Sequence, residues 1–200
     1  YPKPFCVDRD GFVMAEGAAM LVLEEEGHAL KRGAKIYGEV TGFGRSIDGT
    51  GHMCAINPGG VYLGEAITTA LKDSRLEKMA IDYVNLHGTG TQTCDVVETN
   101  VLRKVFGSHA YRFNTGSTKS MTGHAIAATG AMEAIIAIKA INSGIIPPTI
   151  NIDELDPECD LDYTPNEAVE KRVNNSLVIS MGFGGYNTGV IFSKYTGGKK

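Results

Sequence analysis

The stretch I-D-Y-V-N-L-H-G-T-G-T-Q-T-C-D-V-V-E, residues Ile81 to Glu98, changes character as it runs. Ile81–Leu86 reads as a short strand that stops at His87, and G-T-G-T-Q-T follows as a loop. Asp95, with Glu98 three residues on, has the spacing of a capping box. It predicts a helix running to Phe106 with Val97, Val101 and Val105 as its apolar stripe. A strand that feeds a helix through a glycine-rich loop is the unit of a layered α/β protein.

The flanks extend this pattern. Upstream, Gly17–Gly44 reads strand, helix, strand. A-A-M-L-V-L is a short buried run, E-E-E-G-H-A-L-K-R a charged helical turn stopped by Gly33, and K-I-Y-G-E-V-T-G-F a half-buried strand. Residues Arg45–Gly60 read as a loop and Val61–Ser74 as a helix. Downstream come a short strand near Arg112–Thr115 and an apolar, small-residue helix from about Ala125 to Ala140, expected to be central and buried. P-P-T-I-N ends that helix, and a polar segment runs to Asn175. Two closing strands, Leu177–Met181 and Asn187–Ser193, flank G-F-G-G-Y. Alternating elements with a terminal hairpin predict an α/β layered fold with a mixed sheet.

Composition narrows the function. The 200 residues carry a net charge of −4, which gives no basis for binding nucleic acid or an anionic membrane. The apolar runs read as too short and too interrupted to span a bilayer, and no basic leader precedes an apolar core. Cys6, Cys54, Cys94 and Cys159 are scattered without a C-x-x-C pair, so neither a metal cage nor a disulfide framework is expected. A reducing cytoplasm fits. The chain opens on Tyr1 rather than Met.

Few residues carry chemistry. His87 ends a strand beside a loop whose glycines permit close backbone approach and whose Thr89 and Thr91 can donate hydrogen bonds. In S-T-K-S-M-T-G-H-A, Lys119 and His124 stand five positions apart at the mouth of the apolar helix. The positive end of that helix, and Lys119 itself, would both disfavour protonation of His124. On this segment alone, His124 as a cap and Lys119 as surface charge stay open alternatives. G-F-G-G can be a plain turn or a source of backbone N–H groups for an oxyanion. Cys94 near the threonine loop reads as packing.

D-R-D-G-F-V-M-A-E-G-A, V-N-L-H-G-T-G-T, S-T-K-S-M-T-G-H-A and G-F-G-G-Y-N occur in this order along essentially the whole chain. Together they resemble the C-terminal half of a β-ketoacyl-acyl carrier protein synthase, the condensing enzyme of fatty acid and polyketide synthesis. The resemblance implies one half of a thiolase-like α-β-α-β-α sandwich over residues 1–200. The other, N-terminal half carries the nucleophilic cysteine. It also implies that His87 and His124 bind the malonyl thioester and assist its decarboxylation, and that Thr89 and Thr91 contact the pantetheine arm. Lys119 would order the site by pairing with a carboxylate, Glu98 or Asp95. The Phe183 N–H would serve the oxyanion hole while its ring gates the acyl pocket.

No metal or separate cofactor is implied, since the substrate rides on the phosphopantetheine arm of acyl carrier protein. The implied partners are that carrier, the N-terminal half, and a second subunit in a homo- or heterodimer. Three departures stand out. No cysteine here lies in the nucleophile motif. Ile179, Met181 and Tyr186 replace the usual Asn, Phe and Thr, and a Met for a Phe beside the gate could enlarge or soften the acyl pocket. The L-H-G-T-G-T form leans toward polyketide-like members. The rival reading is a non-catalytic partner similar to chain-length factors.

Overall fold

The computed structural model describes residues 1–49 and 56–197; Cys54 and part of the loop expected over 45–60 lie outside the described residues. A five-stranded mixed sheet forms the centre, built from β1 (Glu39–Ile47), β2 (Tyr83–Asn85), β3 (Asn114–Gly116), β6 (Asn175–Gly182) and β7 (Tyr186–Ser193). Its order is β1-β7-β6-β2-β3, with β6, β2 and β3 parallel and the β6–β7 hairpin and β1 antiparallel. A small ribbon pairs β4 (Ile145–Ile146) with β5 (Val169–Glu170).

Strand alternation sorts the core onto two faces. Leu177, Ile179 and Met181 of β6 pack with Leu63 and Ile67 of α2 (Val61–Ser74) and with Val97, Val101 and Phe106 of α3 (Gln92–Phe106). Val178 and Phe192 turn to the other face, where Ala134, Ala137 and Ile141 of α5 (Thr129–Ser143) cover them. Gly44 permits the tightest of these contacts. A Cβ built on it would stand 2.0 Å from the Ala66 carbonyl oxygen, so the α2 backbone lies directly on the edge strand.

Several expectations need correction. A-A-M-L-V-L forms no strand and is not buried: Met20, Val22 and Leu23 are 87%, 78% and 75% exposed. Its apolar pattern suits a strand covered on both faces, but of its large side chains only Leu21 finds cover among the described residues, against the α5-side core. The charged turn that follows is the short helix α1 (Glu26–Lys31), and β1 starts and ends four residues later than the sequence indicated. The apolar helix begins at Thr129, after a 3-10 turn over Ile126–Ala128, and buries only the side that faces the sheet. Residues Ile126–Ser143 are, contrary to expectation, long and apolar enough to cross a membrane by length and composition. Here that segment is a sheet-packing helix that carries the buried, ion-paired Glu133.

The chain start is locked to the body by Arg9, 2% exposed. Its guanidinium donates to the carbonyls of Cys6, Thr91 and Gln92 and to Asp156 Oδ2 at 2.6 Å.

Candidate active site

His87 follows β2 directly, so the strand sets its position. Its own amide and the next one are braced by one carboxylate: Glu98 accepts the N–H of His87 and of Gly88, each at 2.7 Å. Asp95 does the same further along, taking the N–H of Phe5 at 2.7 Å and of Gly90 at 3.1 Å. This replaces the capping box. The helix starts at Gln92 with Thr91 at its N-cap, and the two acids on its first turns reach out to the loop. Gly88 has to be glycine: its φ is +41°, and a Cβ there would meet the Ser117 Cβ at 2.4 Å.

Lys119, 1% exposed, lies in the four-residue helix α4 (Lys119–Thr122). Its ammonium donates to the His87 carbonyl and forms an ion pair with Glu133 of α5. The lysine's partner is therefore Glu133, not Glu98 or Asp95. Those two are already committed to loop amides, and Asp95 also faces the Arg9 guanidinium at 3.6 Å. The sequence did carry the signal: Glu133 is the one acid inside an apolar helix, and a buried carboxylate needs a counter-charge.

His124 is held by the segment that precedes the exposed run. Its N–H donates to the Val13 carbonyl at 2.8 Å, its own carbonyl accepts from Ala15 at 3.0 Å, and Phe12 meets its ring edge-on at 4.9 Å between centroids. The Ile126 N–H donates to His124 Nδ1 at 3.2 Å, and Thr129 Oγ1 lies 3.0 Å from the same nitrogen. An amide can only donate, so Nδ1 is the acceptor and the ring hydrogen sits on Nε2. Ile126 reaches that geometry at φ +50°, a strained conformation for a β-branched residue.

The two imidazoles stand 5.4 Å apart, edge to face, on one cavity of about 230 Å³ between the start of α5 and the ends of β6 and β7. Burial first, then the charge of Lys119, holds the His124 imidazole down at about 4. Burial, Lys119 and His124 hold His87 well below the usual histidine range. Both rings are thus neutral near pH 7, for reasons of desolvation more than of the helix dipole. Burial pushes the Glu98 carboxyl up to about 8, and that of Asp95 up to about 6. The Cys94 thiol is raised well above its ordinary value by burial and by Glu98, so it is a packing cysteine and no nucleophile.

The other expected residues are less engaged. Thr89 and Thr91 touch each other through their hydroxyls at 3.1 Å, outside the cavity lining. Phe183 stands on the β6–β7 turn, 61% exposed, and its ring does not line the cavity.

A profile of the β-ketoacyl synthase C-terminal domain matches residues 37–153. The chain belongs to the β-ketoacyl synthase family. It is 47% identical over 96% of its length to a 3-oxoacyl-[acyl-carrier-protein] synthase 2 from Synechocystis, covering 46% of that protein. It is 42% identical over 94% of its length to an actinorhodin polyketide putative β-ketoacyl synthase 1 from Streptomyces coelicolor, covering 40% of it. Among solved structures it matches the AntDE:AntF assembly, a type II polyketide acyl carrier protein in complex with its ketosynthase bound to the hexaketide. That match has a TM-score of 0.93 at 37% identity, over 96% of this chain and 47% of the other. An ishigamide ketosynthase/chain length factor matches at TM-score 0.92 and 41% identity. The fold is thus that of the ketosynthases, thiolase-like, and this chain spans about half the length of the curated relatives it matches.

Proposed function

We propose that this chain serves, together with a half that carries a cysteine nucleophile, as a β-ketoacyl-acyl carrier protein synthase. The observation that carries the reading is the pair of imidazoles on one cavity, with the His124 Nδ1 accepting from Ile126 and its hydrogen therefore on Nε2. A neutral Nε2–H can donate to a thioester carbonyl oxygen as negative charge develops there, without first giving up its proton. The malonyl thioester loses its carboxylate as CO2, and the electron pair left on carbon is held as an enolate whose oxygen faces the histidines. That carbon attacks the acyl thioester on the cysteine, a C–C bond forms, and the thiolate departs.

Lys119 and Glu133 act one layer back. The ammonium grips the His87 carbonyl, which fixes the loop, and its charge keeps both rings unprotonated. The intermediates would arrive on the phosphopantetheine arm of an acyl carrier protein, with Thr89 and Thr91 along its path and the Phe183 N–H facing the oxyanion. The reading implies a cytoplasmic enzyme with no metal or separate cofactor, and residues 1–200 as the C-terminal half of the assembly. Retention of both histidines and of the buried Lys119–Glu133 pair favours this over a non-catalytic partner of the chain-length-factor kind.

The test is CO2 release from malonyl-carrier protein by the chain assembled with its cysteine-bearing half. His124→Ala should lower decarboxylation and condensation by about 10²–10³-fold, the usual cost of removing one oxyanion donor. Wild-type rates in that variant, or no CO2 release by the wild type, would overturn the proposal.

A further inference from the structure

Resting on the condensing-enzyme reading, we infer that Tyr186 is the residue that sets the size of the acyl group admitted beside the two histidines. The room in the cavity comes from two missing side chains. Gly130 on α5 and Gly182 on β6 both line it, and a Cβ on Gly130 would come no nearer than 3.8 Å to Ser180 Oγ. Tyr186 pairs directly with Gly182, so the two share the sheet face that α5 covers. With no side chain opposite at Gly182, the ring lies beside Gly184 of the turn, where a built Cβ would stand 3.5 Å from its Cε2, and Tyr186 is one of the residues lining the cavity.

The ring's base is held from three sides. Tyr186 is bonded into the sheet between Gly182 and Ile47. The turn before it is tied to Asp48, whose N–H donates to the Gly185 carbonyl at 2.7 Å and whose Oδ1 accepts from Asn187 Nδ2 at 2.8 Å. A tyrosine so mounted is a stiff wall with two side-chain torsions. The phenol has no hydrogen-bond partner among the described residues, and the ring is 59% exposed, so its bulk is presented to whatever enters.

Met181, by contrast, points its side chain into the core with Ile179 and only borders the cavity. The expectation that Met181 softens the pocket therefore passes to its neighbour across the hairpin. Ile126 forms the facing wall, but its strained backbone is committed to His124. That leaves Tyr186 as the large lining residue free to differ without disturbing the histidines.

The experiment compares kcat/KM for a short and a long acyl-carrier substrate in the assembled enzyme, with wild-type malonyl decarboxylation as the control that the site has formed. Tyr186→Thr should shift the long-to-short ratio toward the long substrate by about tenfold or more, the scale on which pockets discriminate one or two methylenes. Tyr186→Trp should shift it the other way, and Tyr186→Phe should keep the wild-type ratio. An unchanged ratio in both Tyr186→Thr and Tyr186→Trp sinks the inference. So does a Tyr186→Phe shift equal to that of Tyr186→Thr, since the hydroxyl would then be the selector. A wild type that decarboxylates nothing refutes the condensing-enzyme reading instead.

Discussion

At the scale of single residues, the decisive one is Lys119. A buried ammonium survives only if its charge is met, and here Glu133 and the His87 carbonyl meet it together. Burial raises the Glu133 carboxyl above its ordinary value, and the Lys119 charge offsets part of that rise. Lys119→Met leaves a buried carboxylate unpaired and should cost about 3–5 kcal/mol in a denaturant titration. The same variant carries a signature that lost packing would not. Lys119 lowers the pKa of both histidines, so its removal raises them toward the ordinary value. A raised histidine protonates at higher pH, so the acid limb of the decarboxylation profile should move up from near pH 4. A limb that stays put would show that the lysine does not tune the rings. Glu98 teaches a related lesson. It was legible as an acid near the site, but its partners are amides of a loop eleven residues away, and sequence spacing carries no information about which group a free carboxylate will find.

At the scale of elements, β1 and α2 show how close packing constrains composition. Gly44 and Gly42 lie beneath α2, where built Cβ atoms would stand 2.0 Å from the Ala66 oxygen and 2.3 Å from the Ala70 oxygen. Gly44→Ala must push the helix off the edge strand, a rigid backbone clash, and should cost about 1–3 kcal/mol or more. Thermal melting reads this directly, and an unshifted Tm would mean that the helix can slide. Helix α2 was read from its apolar stripe to the residue, because a half-exposed helix declares its period. Helix α5 declared less. A small-residue helix is apolar nearly all round, so the pattern marks it as packed without saying where it begins or which side meets the sheet.

At the scale of the whole molecule, large apolar side chains lie open on one side. Phe43, Ile47 and Tyr186 lie on the α5 side of the sheet, toward the β1 edge that the helix does not reach, and Met20, Val22 and Leu23 extend along the exposed early segment. Surface of this kind marks an interaction site or an aggregation liability. Co-expression with a cysteine-bearing half should therefore raise soluble yield and give one co-eluting complex on size exclusion. Equal solubility of the chain alone, with no complex formed, would count against a shared core.

The sequence by itself determined the layered α/β class, the ends of α2 and the hairpin at the close, and it singled out His87, His124 and Lys119 as the candidate site residues. These follow from local periodicity, glycine punctuation and motif order, all of which act over a few residues. Only the tertiary structure decided that Glu133 is the lysine's partner, that the Ile126 N–H sets the His124 tautomer, and that Met181 turns into the core while Tyr186 takes the face shared with Gly182. Each of these joins elements distant in the chain or depends on which sheet face a strand residue takes. Strand register and helix placement set such contacts, and no short window of sequence contains them.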